Sequence, residues 1–409
     1  MLLITLGSGK YGAMLARTFD SLPTRWHHLE ECQALSNTTK SPQLLAEEIA
    51  RLITNESEPT AMVAFGRSSI LNGIEAIASA CESAQRLSIK FPIKYIGPSS
   101  KGASIFNNKA LTYEVLKSEG FNIPKHSVIQ SISDIELIDN FPIVLKATFL
   151  TGGCGQHLVR SKAELENKIQ MMNKQGLWPL LAVEYLSGFE ASYAVIRLGQ
   201  NIWPLPVCYR QKTNTKLVHP DAKVKVTGLF PGDPKIHQAL GNLAIKYDVS
   251  GPIGIEGVIR NGPSGPEFVV LECCTRLSGS TPARIASLKQ TSLFELIREH
   301  LLDRDPNFNS ILRPAVQFPT TKNIERMELL TNLNCVDQLK IENLSELPFS
   351  ETSGCRLRIT YHAEDKNQLL ATSATIGDIL GDLNYKSTID TFINEISDEL
   401  DSYFESFSK

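Results

Sequence analysis

The sequence predicts an α/β protein of two to four domains. Three observations carry this. Strand-like and helix-like segments alternate through the N-terminal third, an apolar hairpin with embedded acids stands at Ile253 to Gly279, and 409 residues exceed what one hydrophobic core holds. The balance of 42% hydrophobic and 21% charged residues is that of a globular chain rather than a disordered one. A net charge of −3 offers no polyanion-binding surface, so no nucleic-acid partner is expected. Apolar runs are strand-length, so no membrane span is expected either. The opening MLLITLGSGKYG lacks a basic flank and a long apolar stretch, and reads as a first strand rather than a signal peptide. Eight cysteines without tight spacing read as reduced thiols, which points to the cytoplasm.

Leu2 to Leu6 is a buried strand by composition. It runs into Gly7-Ser8-Gly9-Lys10-Tyr11-Gly12 and a helix from Ala13 to Phe19. That is the form of a dinucleotide-binding turn, but no acid closes a clear second strand, and a structural turn is the preferred reading. Helices at Pro42 to Ile53 and Ile74 to Cys81 alternate with strands at Thr60 to Phe65 and Ile93 to Ile96. The alternation implies a small open parallel sheet.

Lys101 to Gly120 reads as one helix, and His126 to Gln130 as a strand. Ile143 to Ala147 is an apolar strand with Lys146 inside it, and a lysine there needs a partner or a ligand. The alternative is an edge-strand lysine whose head reaches water. Thr151-Gly152-Gly153-Cys154-Gly155-Gln156 comes next, glycine-rich and able to close backbone N–H groups over phosphate oxygens. Ala163 to Asn173 is helical, Leu180 to Leu186 and Ala191 to Leu198 are strands, and Trp203 to Tyr209 is extended. Arg210 to Lys225 reads as a polar, basic loop, either solvated or a cover over an anionic substrate. Pro234 to Tyr247 is an amphipathic helix leading to the hairpin.

Glu256 lies in the first strand of that hairpin, and the second ends on Glu272. Continued strand alternation places Glu272, Cys274 and Arg276 on one face. Two carboxylates on neighbouring strands, with an arginine just beyond, suit a Mg²⁺ ion and phosphate oxygens. The alternative is a hairpin with solvated acids, against which stands the cost of a carboxylate in an apolar run. Beyond it come helices at Ala283 to Ser287 and Leu293 to Leu302 and a linker at Pro306 to Pro314. The last part reads as a small α/β lobe, with a strand at Cys355 to Tyr361, Ala371 to Ile376 as its pairing strand, and a terminal helix from Thr388 to Phe404.

Taken in order, IGPSSKGASIFNNKALTYEVLKSEGFNIPKHSVI, FPIVLKATFLTGGCGQ, VEYLSGFEAS, GIEGVI and LECCTR resemble the ATP-grasp superfamily. The branch is that of glycinamide ribonucleotide synthetase, biotin carboxylase and carbamoyl phosphate synthetase. The resemblance covers residues from about 95 to about 300 well and the C-terminal lobe loosely. It implies an ATP-grasp fold with a Rossmann-like domain at 1–97, an ATP-grasp domain at 98–310 with a small lid near 112–184, and a C-terminal α/β lobe at 311–409.

By position, the resemblance assigns Lys109, Lys146 and the loop of Thr151, Gly152, Gly153 and Gly155 to the phosphates of ATP. Glu184, Tyr185 and Leu186 match the hinge that reads the adenine edge, and Glu190 the acid on the ribose. Glu256 and Glu272 match the acids that bridge Mg²⁺ ions to the phosphates, and Arg276 the arginine that steadies the acyl phosphate. Cys274 stands where the family has asparagine, and a thiol is a poor ligand for a hard ion. The cofactors implied are ATP and Mg²⁺, with Mn²⁺ as a substitute. The activity implied joins a small carboxylate to a small amine through an acyl phosphate. A bicarbonate-activating carboxylase and a nucleotide-binding protein with weakened catalysis are the alternatives. Homodimers are common in this branch.

Overall fold

The computed structural model describes residues 1–7, 9–29, 42–54, 59–66, 73–87, 93–150, 155–213, 222–263, 265–290, 292–304, 308, 311–320, 340–343, 357–382 and 384–408. Three sheets organise them. In the first, β1 (Leu2–Gly7), α1 (Gly9–Arg17), β2 (Arg25–Leu29), α2 (Pro42–Thr54), β3 (Thr60–Gly66), α3 (Gly73–Leu87) and β4 (Ile93–Ile96) alternate. The strands are all parallel, in the order β2-β1-β3-β4. Every residue of β1 is buried, as a continuous apolar run between two helix layers requires. Gly12 lets α1 close on β1, since a Cβ there would lie 2.6 Å from Thr5 Oγ1.

The single helix expected over Lys101 to Gly120 is two: α4 (Ser100–Asn107) and α5 (Lys109–Ser118). Asn108 breaks it. Its backbone is extended, and its side chain accepts from Ala110 N and Leu111 N to cap α5. Asparagine competes with helix continuation in this way. The break sets Lys109 at the first position of α5, with its side chain buried.

The second sheet is antiparallel and small. β5 (His126–Ile129), β6 (Ile143–Ala147), β7 (Gln156–Val159) and β8 (Leu180–Glu184) take the order β5-β8-β6-β7, with α6 (Lys162–Lys174) against one face.

The third sheet has eight strands. β9 (Phe189–Leu198), β10 (Asn201–Lys212) and β11 (Lys225–Thr227) precede α7 (Pro234–Lys246), β12 (Gly251–Gly262) and β13 (Gly265–Cys274). Then come α8 (Thr281–Ser287), α9 (Leu293–Leu301), β14 (Ala315–Thr320), β15 (Lys340–Asn343), β16 (Leu357–His362), α10 (Lys366–Leu380) and α11 (Tyr385–Glu405). The order β13-β12-β9-β10-β11-β14-β16-β15 makes the C-terminal strands a continuation of the hairpin's sheet. Directly opposed residues share a face. One face therefore carries the row Glu272, Glu256, Ser192, Cys208, Thr227 and, one step along, Glu190, Arg210, Lys225, Gln317, Thr360. The other carries Tyr209, Val226, Val316 and Tyr361, fully buried in a core shared with Phe392, Ile396 and Leu400 of α11.

Two expectations are corrected here. Ala371 to Ile376 is not a strand but the middle of α10. Asp365 caps that helix, Gly381 ends it in a left-handed turn, and Leu369, Ser373, Ile376 and Leu380 form its buried stripe. The stripe has helical spacing, and it outweighs the β-branched residues between its members. Nor is Arg210 to Lys225 a loop throughout. Arg210 belongs to β10 and Lys225 to β11, and Arg210, Lys223 and Lys225 are all buried. Residues 214–221 of that segment lie outside the described residues. No helix among the described residues is long and apolar enough to cross a membrane.

Gly228 takes the chain out of β11 with φ +77°, and a Cβ there would sit 2.1 Å from the Arg313 carbonyl oxygen. Gly228→Ala should destabilise the fold by about 1–3 kcal/mol, from backbone strain and a forced shift of Arg313. Urea unfolding should show a lower midpoint at unchanged slope; an unmoved midpoint would contradict the close approach.

Candidate active site

Glu256 on β12 stands directly opposite Glu272 on β13. Immediately beyond them the register slips, since Gly257 pairs with Val270 and leaves Leu271 as the extra residue of a bulge. Tyr113 of α5, itself buried, donates its hydroxyl to the Leu271 carbonyl at 2.9 Å. That bond ties α5 to the bulge and brings the Lys109 ammonium to 3.9 Å from Glu272. Lys109 also donates to the Leu150 carbonyl, just ahead of the glycine-rich segment in sequence. Burial pulls the Lys109 pKa down, Glu272 raises it, and Arg276 lowers it further.

A narrow cleft opens beside this junction, lined by Ile74, Phe106, Asn107, Lys109, Glu272 and Arg276 among others. Strand β13 ends at Cys274, so Arg276 is not the next same-face strand residue that alternation predicts. It lies past a bend, donates to the Leu277 carbonyl and still reaches the cleft wall. Cys274 also lines the cleft and turns its thiol toward the Arg276 carbonyl at 3.8 Å. Burial pushes the Cys274 pKa up, so the thiol stays protonated at neutral pH.

Lys146 is the clearest anomaly. It is 6% exposed and has no hydrogen-bond or ion-pair partner among the described residues. Burial pulls its ammonium down to about 8, with Glu272 and Glu190 raising it and Lys109 lowering it. A buried cation without a partner is costly. An anion in the space between the small sheet and the large one would satisfy it.

Thr151, Gly152 and Gly153, expected at the phosphates, lie outside the described residues. Gly155, with φ +63°, leads into β7, and its carbonyl accepts from Ala147 N at 3.1 Å. At the hinge, Glu184 N donates to Lys125 O and Tyr185 N to Pro142 O, while Leu186 O accepts from Thr213 Oγ1. The Glu184 carboxylate is occupied by Lys125 N at 2.9 Å and lies 3.5 Å from Arg260. Glu190 is paired with the buried Lys223 ammonium at 2.5 Å.

Sequence reasoning passed over Arg210, Lys223 and Lys225 as site residues. Their signal was present: Lys223-Val224-Lys225-Val226-Thr227 alternates with the period of a strand. Arg210 holds Glu256 by two bonds, of 3.0 and 2.5 Å. Burial works against the Arg210 charge, and the Glu256 carboxylate more than offsets it. Lys225 donates to the Gly279 carbonyl at 2.9 Å. The buried Arg284 anchors α8 on Ser192 and the Pro206 carbonyl.

Among the described residues, no three His, Cys, Asp or Glu side chains converge as a metal cluster. Glu256 and Glu272 are hard oxygen donors and fit one Mg²⁺ whose other ligands are water and phosphate oxygens. The protonated Cys274 thiol does not fit a second.

No protein-family model matches the chain. The arginine-specific carbamoyl phosphate synthase large chain of Bacillus subtilis (strain 168) is 24% identical over 293 residues. That match spans 68% of this chain but only 26% of the relative. The L-amino acid ligase of Bacillus licheniformis superposes with a TM-score of 0.66 at 13% identity, covering 92% of this chain and 97% of that one. The chain has the ATP-grasp fold. A third likeness fits this ATP-grasp chain equally well. The biotin carboxylase domain of the Hydrogenobacter thermophilus 2-oxoglutarate carboxylase, a dimer solved with MgADP, ADP and bicarbonate, matches with a TM-score of 0.65. Identity there is 16%, over 91% of this chain and 88% of that one. At such identities these structures establish the fold.

An anion bound at Lys146 favours its charged form, so binding above pH about 8 should take up a proton and weaken as pH rises. Calorimetry with pyrophosphate, in buffers of different ionisation heat, measures both effects. Affinity that is flat between about pH 7 and about pH 9 would remove Lys146 from the site.

Proposed function

We propose that the chain is an ATP-dependent carboxylate–amine ligase working through an acyl phosphate. The Lys146 side chain, 6% exposed, without a partner among the described residues and within the field of Glu272 and Lys109, is the observation that carries the reading. A site that holds a cation in readiness, beside two opposed acids, suits a polyphosphate carried with a divalent ion. The carbamoyl phosphate synthase relative and the L-amino acid ligase neighbour support the same class.

The substrate carboxylate attacks the γ-phosphate of ATP, ADP departs, and the amine then displaces phosphate to leave the amide. Mg²⁺, when bound, draws charge off the phosphate oxygens and holds them for in-line attack. Lys146 and Lys109 neutralise the charge that shifts during transfer. Glu272, open to the cleft, would provide the oxygen ligand nearest the phosphates, with Glu256 opposite it on β12. Arg276 on the cleft wall steadies the carboxylate and its phosphorylated form. Lys223 orients Glu190 toward the ribose. The small sheet acts as the cover that keeps water from the acyl phosphate. No general acid or base is required, because positioning and neutralisation account for the catalysis.

ATP with Mg²⁺ should raise the melting temperature, since it binds the native state alone, by about 2.7 kcal/mol at one hundred times Kd. A screen of carboxylates against amines should find ADP release that needs both. Glu272→Gln should cut that release about 100-fold or more with the fold retained. No thermal shift at millimolar ATP, or undiminished turnover in the variant, would sink the assignment.

A further inference from the structure

The two acids of the site are not equivalent. Glu272 faces the cleft with 29% of its side chain exposed, and its nearest cation, Lys109, is 3.9 Å away. Glu256 is gripped. Arg210 Nη1 donates to its Oε2 at 3.0 Å and Nη2 to its Oε1 at 2.5 Å. The same Nη2 donates to Ser280 Oγ at 2.8 Å, just ahead of α8. Strand β9 lies between β10 and β12, and its residue opposite Glu256 is the small Ser192, which leaves room for the reach. The Arg210 side chain is 2% exposed, and its Nε has no partner among the described residues.

A guanidinium keeps its proton at any working pH. Arg210 is therefore a permanent unit of positive charge fixed on Glu256, held in a fork that matches a carboxylate. The other departure in this site points the same way. A two-ion arrangement needs a third hard donor after Glu272, and Cys274 offers a soft sulfur there instead, turned toward the Arg276 carbonyl. One position has lost the ligand for a second ion, while another has gained a built-in cation on the acid that the ion would share.

We propose that Arg210 supplies the second positive charge of the site, so that the chain holds one divalent ion, on the Glu272 side, where a two-ion site would hold two. The proposal rests on the ATP-binding reading above. A guanidinium brings one charge where a divalent ion brings two, but it needs no recruitment from solution. It also holds Glu256 in place before any ligand arrives. Arg210 acts through Glu256 and is a positioning residue.

The test counts ions rather than turnover. The 409-residue chain is saturated with adenylyl imidodiphosphate and titrated with Mn²⁺, and free Mn²⁺ is read by electron paramagnetic resonance. The native chain should bind one Mn²⁺ per nucleotide site. Cys274→Asn alone, with Arg210 intact, should still bind one. The double variant Arg210→Gln with Cys274→Asn should bind two. Two ions in the native chain or in the single variant would overturn the proposal, as would one ion in a folded double variant that still binds nucleotide. If the double variant does not fold, the native and single-variant counts decide alone. Neither nucleotide nor Mn²⁺ bound to the native chain would overturn the ATP reading with it, whereas nucleotide with two ions would overturn only this inference.

Discussion

Two carboxylates placed directly opposite each other on adjacent strands repel, and the rest of the site answers that repulsion. Glu256 and Glu272 are held in this position by nine cross-strand pairings of the hairpin, so neither can turn away cheaply. The answer is a ring of cations drawn from four places in the chain: Lys109 on α5, Lys146 on β6, Arg210 on β10 and Arg276 after β13. Arg210 meets Glu256 by contact, whereas Lys109 and Lys146 meet Glu272 only through space. The through-space cations are those left with capacity for a ligand.

The opposite face of the same sheet makes this arrangement stiff. Tyr209 and Val226, next in line to Arg210 and Lys225, are sealed under α11 in the main core. Period-two alternation thus separates the two tasks within one strand: every second residue buries area, and those between them carry charge. The small sheet is joined to the site through α5, where Tyr113 packs on Leu181 and Val183. Glu184 meets Arg260 at 3.5 Å, and Lys109 reaches the Leu150 carbonyl.

Much of this was legible in the sequence, and for a definite reason. The parallel sheet, the separate strands at His126, Ile143 and Leu180, and the hairpin each announce themselves by apolar period, and Lys146, Glu256 and Glu272 stand out as charges inside apolar runs. Three features were not legible. Asn108 breaks a helix by a capping bond that only a single side chain makes, within a stretch otherwise rich in helix formers. Ala371 to Ile376 looks extended in isolation, and only its caps and longer stripe show the helix. Arg210 reads as solvated because the acid that allows its burial lies 46 residues away. Buried charge is a property of pairs, and local patterns see one partner at a time. Cys274 was visible as a departure from a motif, but its meaning depended on Arg210.

The continuity of the eight-stranded sheet bears on how the chain can be divided. Residue 310 looks like a boundary in the sequence, yet β14 pairs with β11 on one side and β16 on the other. Ending the polypeptide there would strip three strands and leave the outer side of β11 with unpaired backbone donors and acceptors. Such an edge recruits any extended segment that it meets. It would also uncover Val226, together with the part of the core that α11 now closes. The fragment carrying the site would be a sticky, self-associating species, so the last quarter of the chain works as an edge guard for the strands that hold the charges.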